Sequence, residues 1–263
     1  MFSSPAEIAF SIGNIKVHYY GIIMALALFC GTVFSAFICK KHYKKINSDI
    51  IYDIAPIILV AAIIGARLYY CILNFQYYSK HILEIFQIWQ GGLSIHGGLI
   101  GGLIAGFIYT QRHKLNFLKI CDIFTYGIVL GQIIGRWGNF FNSEAFGLPC
   151  NNFLKLYIPI SKRPLEYIQY SFFHPTFLYE SILNIFVLII LYFIIRKKTN
   201  KSGIIFFSYL IMYSIIRIFI EHIRIDSVLN IAGFPIAQIV SLFIIVISLI
   251  AIYFIQKTST EED

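Results

Sequence analysis

Apolar residues of this chain are gathered into long stretches that short polar segments separate. A helix needs about 20 mostly apolar residues to cross a hydrocarbon core of about 30 Å. Seven stretches reach or approach that length, so the pattern predicts a bundle of about seven transmembrane helices. The predicted spans are Tyr20–Cys39, Ile50–Leu73, Leu93–Tyr109, Phe117–Trp137, Thr176–Ile195, Gly203–Ile220 and Pro235–Ile255.

One long polar segment, Asn139 to Phe173, separates the fourth predicted span from the fifth. Its polar side chains and its three prolines, Pro149, Pro159 and Pro164, make a membrane span unfavourable. We therefore expect an all-α integral membrane protein in which residues 1–263 form a single membrane domain. The segment at about 139–173 is expected to be an extramembrane arm.

The composition supports this class of protein. Hydrophobic residues make up 58% of the 263 residues and charged residues 13%, with a mean hydropathy of +0.75. A soluble domain has about 25% charged residues, which disfavours a water-soluble protein, a disordered chain and a disulfide scaffold. The five cysteines lack CxxC spacing, so we expect no metal site. The first 18 residues lack the pattern of a cleavable signal peptide.

Lys and Arg residues outside the predicted spans are unevenly distributed. Twelve lie after the first, third and fifth spans and in the C-terminal tail, and six lie in the other segments. Cytoplasmic loops of membrane proteins carry the excess of positive charge. This bias predicts an extracytoplasmic N-terminus and arm and a cytoplasmic C-terminus, and it accounts for the net charge of +8 without a nucleic-acid partner.

Three arginines, Arg67, Arg136 and Arg217, lie within the predicted spans. An arginine at the centre of a bilayer costs about 2.5–3.5 kcal/mol on insertion scales, so each is a candidate functional residue. The predicted orientation places all three, together with His96 and Tyr20, toward the extracytoplasmic side. We therefore expect one outward-facing polar cavity.

The sixth span carries a polar stripe. Tyr213, Arg217 and Glu221 are spaced at i, i+4 and i+8, which places them on one face of a helix and allows Arg217 and Glu221 to pair. The stripe can serve a substrate, or it can be a structural ion pair with a packing tyrosine. The spacing alone does not decide between them.

A denser polar cluster ends the fourth span, where Arg136, Asn139, Asn142 and Glu144 follow one another and Gly147 comes next. A planar guanidinium with amide donors beside it suits a phosphate group. The alternative is an interfacial helix end anchored by a tryptophan. We favour the phosphate, since a helix end does not need this many polar groups.

The third span begins with His96 among six glycines. Small residues spaced four apart, such as Gly97 and Gly101, favour close packing of membrane helices. His96 itself is a candidate base near neutral pH. His174, which precedes the fifth span, is interpreted as a capping or interfacial residue.

These segments together resemble the prolipoprotein diacylglyceryl transferases of bacteria along the whole chain. The most specific match is Gly-Arg-Trp-Gly-Asn-Phe-Phe-Asn-Ser-Glu-Ala-Phe-Gly at 135–147. Further matches are His-Tyr-Tyr-Gly at 18–21, Gly-Ala-Arg at 65–67, Gly-Gly-Leu-Ser-Ile-His-Gly-Gly at 91–98, His-Pro-Thr-Phe-Leu-Tyr-Glu at 174–180, and Tyr213, Arg217 and Glu221.

The resemblance implies transfer of the sn-1,2-diacylglyceryl group from phosphatidylglycerol to the lipobox cysteine of a preprolipoprotein, in the inner membrane of a bacterium. A thioether forms, glycerol 1-phosphate is released, and no cofactor takes part. The resemblance also implies an essential histidine, phospholipid-binding arginines and essential tyrosines, which match His96, Arg136, Arg217, Tyr20 and Tyr213. Further substrate-binding positions that it implies are Asn139, Glu144, Gly147, Glu221 and Arg67.

The chemistry of the residues leaves the base open. A cysteine thiol with a pKa of about 8.5 is only slightly ionised at neutral pH, so a base accelerates its attack. His96 is one candidate, and Tyr213 is the other or its partner.

A secondary transporter would use the same buried charges, but that class generally has internal repeats and polar residues toward both faces. A membrane scaffold would leave the arginines without a role.

Overall fold

The computed structural model describes residues 2–4, 6–13, 15–225, 230–231 and 234–258. Seven long helices dominate these described residues, one for each predicted span. They are α1 (Tyr19–His42), α2 (Asp49–Leu73), α3 (Ile95–Arg112), α4 (Phe117–Asn142), α5 (Thr176–Lys198), α6 (Ile204–Glu221) and α7 (Ile236–Thr258). The predicted all-α class is therefore confirmed.

Six of the seven helices are long and apolar enough to cross a membrane. The exception is α3, because its 18 residues include five glycines and end in polar side chains. These helices confirm a multi-pass membrane protein. The seventh span, the orientation of the termini and the single membrane domain stay predictions.

The helix before the predicted arm is longer than its predicted span. α4 continues to Asn142, so Asn139, the first residue assigned to the arm, lies in the helix. The helical conformation ends there because Ser143 and Ala145 adopt left-handed φ values of 50° and 54°. The segment that follows contains the strands β4 (Leu156–Tyr157) and β5 (Phe172–Phe173) and the 3₁₀ turns Ile160–Lys162 and Leu165–Tyr167.

By its internal contacts the chain divides into two compact units. The first comprises Met1–Phe34 and Phe124–Asp263, and the second is Ser35–Ile123. Each unit contains residues that the sequence assigned to the site.

In the second unit, α2 and α3 pack with their backbones in contact. A Cβ atom at Gly65 would lie 2.5 Å from the carbonyl oxygen of Gly97, and one at Gly101 would lie 2.4 Å from that of Ala61. No side chain fits at such distances, which confirms the packing role predicted for the glycines of α3. The connection between the two helices contains the short helices Phe75–Tyr78, Ile82–Phe86 and Ile88–Gln90.

In the first unit, small residues also bring α1 close to α4. A Cβ atom at Gly31 would lie 2.7 Å from the carbonyl oxygen of Gly127. Further along the same pair of helices, a Cβ atom at Gly138 would lie 3.0 Å from the ring of Tyr20. The glycine therefore leaves the space that the Tyr20 ring occupies, within one turn of Arg136.

Short strands complete the first unit. β1 (Phe2–Ser3) pairs in parallel with β4, and β4 pairs antiparallel with β5. A small hydrophobic core lies at this sheet and the start of α5, and its members are Phe146, Leu156, Ile158, Phe173 and Phe177. The remaining strands form two antiparallel pairs, β2 (Ile8–Ile12) with β3 (Ile15–His18) and β6 (Asn230–Ile231) with β7 (Phe234–Pro235).

Candidate active site

A buried carboxylate at the start of α5 gathers three arginines of the first unit. The Glu180 side chain is 1% exposed, and its Oε2 atom lies 2.5 Å from Nη2 of Arg136 on α4. Its Oε1 atom lies 3.8 Å from Nη1 of Arg217 on α6 and 3.8 Å from Nη1 of Arg224, which follows α6. A carboxylate that is removed from water is stable only when it is paired, so Glu180 draws these guanidinium groups to one place.

A second carboxylate supports the cluster. Nη2 of Arg217 lies 2.7 Å from Oε2 of Glu221 one turn further along α6, which confirms the predicted pairing. The three arginines therefore surround two carboxylates, and the five groups carry one net positive charge. The side chains of Arg136 and Arg217 are 19% and 21% exposed, whereas that of Glu221 is 3% exposed. The cations are thus the reachable part of the cluster.

Tyr213 lies beside the guanidinium of Arg136. Nη2 of Arg136 donates to the Tyr213 hydroxyl at 3.4 Å. The Tyr213 ring stacks on Tyr209 one turn earlier in α6, with ring centroids 5.9 Å apart. The stacking fixes the phenol within the reach of the arginine cluster.

The end of α4 carries the second polar group that the sequence singled out. Nδ2 of Asn139 donates to Oε1 of Glu144 at 2.9 Å, and Nδ2 of Asn142 approaches the same oxygen at 3.5 Å. The backbone N–H of Glu144 also donates to the carbonyl oxygen of Asn139. These bonds fold the chain back at the helix end and leave Glu144 exposed, next to the helical turn of Arg136.

Gly147 joins the segments that bear the charged groups. Its N–H donates to the carbonyl oxygen of His174 at 2.9 Å, and the N–H of Leu148 donates to that of Ile223 at 2.8 Å. A Cβ atom at Gly147 would lie 2.7 Å from Cγ2 of Ile223 and 3.0 Å from Cβ of His174. Only glycine therefore fits between the segment before Glu180 and the segment before Arg224.

His174 lies just ahead of α5, as the sequence predicted. Its N–H donates to the carbonyl oxygen of Leu148, and its Nδ1 atom lies 3.1 Å from the hydroxyl of Tyr179. These contacts fit the structural role that we expected for it.

Two of the predicted site residues belong to the second unit. His96 is the second residue of α3, is exposed, and has its ring centroid 6.3 Å from that of Tyr69. Arg67 is buried on α2, and its guanidinium bonds to backbone carbonyl groups. The other eight lie in the first unit: Tyr20, Arg136, Asn139, Glu144, Gly147, Tyr213, Arg217 and Glu221.

Sequence reasoning missed two members of the cluster. Glu180 had a detectable signal, because an acidic residue inside an apolar span must find a partner. Arg224 had none, since it looked like an ordinary cation of a loop. Among the described residues, no three His, Cys, Asp or Glu side chains are grouped so that they could hold a metal ion.

Comparison with known proteins agrees with the motifs. Residues 7–254 match a sequence model of the family described as "Prolipoprotein diacylglyceryl transferase". A protein of Synechocystis sp. named phosphatidylglycerol–prolipoprotein diacylglyceryl transferase is 43% identical over 264 residues, which cover 97% of this chain and 92% of the relative.

Relatives in two other organisms have the same name. The protein of Acaryochloris marina is 42% identical and covers 92% of this chain and 88% of its own length. The protein of Prochlorococcus marinus (strain MIT 9215) is 40% identical, with 97% and 94% covered. The resemblance is thereby confirmed, and the chain belongs to the prolipoprotein diacylglyceryl transferase family of enzymes.

Proposed function

We propose that the protein transfers the sn-1,2-diacylglyceryl group of phosphatidylglycerol to the lipobox cysteine of a preprolipoprotein, the first step of bacterial lipoprotein maturation. The cysteine sulfur forms a thioether bond with the glycerol carbon that bore the phosphate. The bond between that carbon and the phosphate oxygen breaks, glycerol 1-phosphate leaves, and the thiol proton passes to a base. The names of the relatives support both substrates.

The arrangement of the arginine cluster carries this proposal. Glu180 is almost fully buried, while Arg136 and Arg217 stay partly exposed and the cluster has one positive charge in excess. A phosphate diester has one negative charge, and the departing monoester develops a second. Guanidinium groups that are already in position stabilise this developing charge without reorganisation. The cluster therefore suits the leaving group better than it suits a neutral substrate.

The neighbouring residues fit the rest of the lipid headgroup. Glu144 is exposed and Asn139 orients it, so its carboxylate can accept hydrogen bonds from the free hydroxyl groups of the headgroup glycerol. Tyr20 packs against α4 within one turn of Arg136 and contributes a further hydroxyl. Gly147 and Glu221 act on the site through packing and through Arg217, respectively.

We assign the proton transfer to His96. Its ring is exposed, and it has no hydrogen-bond partner among the described residues of its own unit, so a ring nitrogen is available as an acceptor. The Tyr213 hydroxyl instead accepts a hydrogen bond from Arg136, which suits a role on the phosphate. Tyr213 remains the alternative base, and the pH dependence described in the Discussion separates the two.

The reaction takes place at the extracytoplasmic face of the bacterial inner membrane. The distribution of Lys and Arg supports this orientation, with the N-terminus outside and the C-terminus in the cytoplasm. The polar groups of the site lie toward the ends of the spans that this orientation places outside.

The direct test uses the purified protein with phosphatidylglycerol and a synthetic lipobox peptide. The peptide is expected to gain the mass of one diacylglyceryl group. A peptide with serine in place of the cysteine is the control and should stay unmodified, because a hydroxyl is a far weaker nucleophile than a thiolate at neutral pH. A cysteine peptide that stays unmodified, with protein that is folded and supplied with lipid, would refute the proposal.

A further inference from the structure

The guanidinium of Arg67 holds two stretches of the segment that connects α2 to α3, one at its middle and one near the start of α3. Its Nε atom donates to the carbonyl oxygen of Ile85 at 2.9 Å, and Nη2 donates to that of Glu84 at 2.5 Å. Nη1 donates to the carbonyl oxygens of Gly91 and Gly92 at 2.8 and 3.1 Å. One side chain therefore joins two stretches of backbone that are separated along the chain.

Little of this guanidinium is left for a substrate. Four bonds to carbonyl oxygens use most of its five N–H groups, and the residue is 4% exposed. The ring of Tyr78 lies over it, with Cζ of Arg67 5.2 Å from the ring centroid. A buried cation surrounded by carbonyl dipoles organises the backbone around it.

The segment that Arg67 holds leads directly to His96. Gly91 and Gly92 adopt φ values of 84° and 69°, which glycine tolerates best. A Cβ atom at Gly92 would lie 2.6 Å from Nη1 of Arg67, so the close approach also requires glycine. Two residues later, the N–H of Ser94 donates to the carbonyl oxygen of Ala66 at 3.0 Å.

The backbone is fixed again directly after His96. A Cβ atom at Gly97 would lie 2.3 Å from the carbonyl oxygen of Gly65 and 2.4 Å from Cβ of Tyr69. His96 thus lies between two anchored positions, and the residues that anchor the chain before and after it, Ala66, Gly65 and Tyr69, all lie within two residues of Arg67 on α2.

We infer that Arg67 is a positioning residue that sets the place of His96, and that it does not bind the lipid phosphate. The inference rests on the proposed function, because it takes His96 as the base. We call the four bonds from Arg67 to backbone carbonyl groups the clamp. Loss of the clamp would let the start of α3 shift, and a shift of about 1 Å at a reacting group can cost about a hundredfold in rate.

A double-mutant cycle tests this role. Arg67→Lys keeps the charge but offers one ammonium group, which cannot bond four carbonyl oxygens at once. In the protein with His96 intact, kcat should fall about tenfold or more, with the KM for phosphatidylglycerol changed by less than about twofold. In the His96→Gln background, the same change should cost less than about twofold, because residues that act as a unit are not additive.

Two kinetic results of this cycle would overturn the inference. One is an equal loss of kcat in both backgrounds, and the other is a raised KM for phosphatidylglycerol with kcat unchanged, which would indicate direct lipid binding. Hydrogen–deuterium exchange supplies a readout that does not depend on turnover. Residues 84–96 should exchange faster in Arg67→Lys, and unchanged exchange there would also refute the clamp. An inactive wild-type protein would instead refute the proposed function and leave this structural result standing.

Arg163 in the arm provides a matched control. Its Nε atom donates to the carbonyl oxygen of Ile158 at 2.8 Å and Nη1 donates to that of Ile168 at 3.1 Å, while Cζ lies 5.6 Å from the ring of Tyr157. This is the same kind of clamp, at a place where we assign no reacting group. Arg163→Lys should accelerate exchange locally and leave kcat within about twofold of the wild type. A loss equal to that of Arg67→Lys would show a general effect on folding and would contradict the specific role.

Discussion

The Arg136 guanidinium and the Glu180 carboxylate lie 2.5 Å apart, Nη2 to Oε2, and they come from different helices. Glu180 is hidden from solvent while Arg136 is partly exposed. An arginine within an apolar bundle thus keeps its charge and stays reachable, because its counter-ion lies on the buried side. In the proposed reaction, this pair holds in place a guanidinium that binds the phosphate.

Removing the buried charge should damage both stability and activity. In Glu180→Gln, three guanidinium groups lose their shared carboxylate, and breaking a buried ion pair typically costs about 3–5 kcal/mol. We expect a lower thermal midpoint in detergent and weaker thioether formation. The control is Glu7→Gln, which removes an exposed pair with Lys162 and should cost about 0–1 kcal/mol. A Glu180→Gln protein that matches the wild type in both measurements would contradict the role of Glu180.

Lysine should not replace Arg136 or Arg217 without loss of activity. Arg136→Lys or Arg217→Lys keeps the charge but loses the planar fork of donors, so the rate of thioether formation should fall about a hundredfold. Peptide mass spectrometry measures this rate, and the amount of membrane-inserted protein shows that the variants fold. Arg112→Lys, at the C-terminal end of α3, is a control that should be unaffected. Full activity in Arg136→Ala would refute the phosphate-binding role.

If His96 is the base, the activity of a variant without it should depend on pH in a characteristic way. His96→Gln should lose most of its activity near neutral pH while it still binds phosphatidylglycerol. As the pH rises toward the thiol pKa of about 8.5, the thiolate forms without a base, so the deficit of the variant should narrow. Rates and lipid binding are measured together across this range. Inactivity at every pH, combined with lost lipid binding, would make His96 a substrate-positioning residue and Tyr213 the base.

Local patterns revealed much of this site. The spacing of Arg217 and Glu221 predicted their ion pair. The density of polar residues after Arg136 predicted the polar group at the end of α4, where Asn139 bonds to Glu144. The glycines of α3 predicted its close packing on α2. Each of these features depends on residues that are close in sequence or on a helix period, which is why it could be predicted.

The centre of the cluster could not be predicted in this way. The contacts of Glu180 with Arg136 and Arg224 depend on how α4, α5 and the end of α6 pack, and no local spacing encodes that packing. The carbonyl groups around Arg67 could not be predicted either, because every residue has a backbone acceptor and the sequence does not show which ones approach Arg67. The end of α4 was not predicted either, since residues 139–142 continue the helix beyond the predicted span and the left-handed Ser143 ends it.

Gly147 should be intolerant of even the smallest side chain. The added Cβ of Gly147→Ala would lie 2.7 Å from Ile223, so the segments bearing Glu180 and Arg224 must move apart. We expect a loss of thioether formation of about tenfold or more and a lower thermal midpoint. Gly21→Ala is the control, because a Cβ there meets nothing within 4 Å. Equal behaviour of the two variants would contradict the packing argument.

The orientation can be tested with reporters. A fusion after Lys44, Lys114 or Lys198 should report the cytoplasm, because these sites follow the predicted cytoplasmic ends of the helices. A reporter inserted near Asn151 in the arm should report the exterior. A cytoplasmic signal at Asn151 would reverse the orientation and, with it, the outward-facing site.

In the proposed reaction, the cysteine sulfur attacks the glycerol carbon while the arginine cluster holds the departing phosphate. Phosphatidylglycerol labelled with ¹⁸O at the oxygen between the diacylglyceryl carbon and phosphorus shows which bond breaks. Mass spectrometry of both products after reaction with the lipobox peptide locates the label. We predict that the released glycerol 1-phosphate keeps the ¹⁸O and that the diacylglyceryl peptide contains none. An unmodified peptide, or label retained on the diacylglyceryl group, would refute this mechanism.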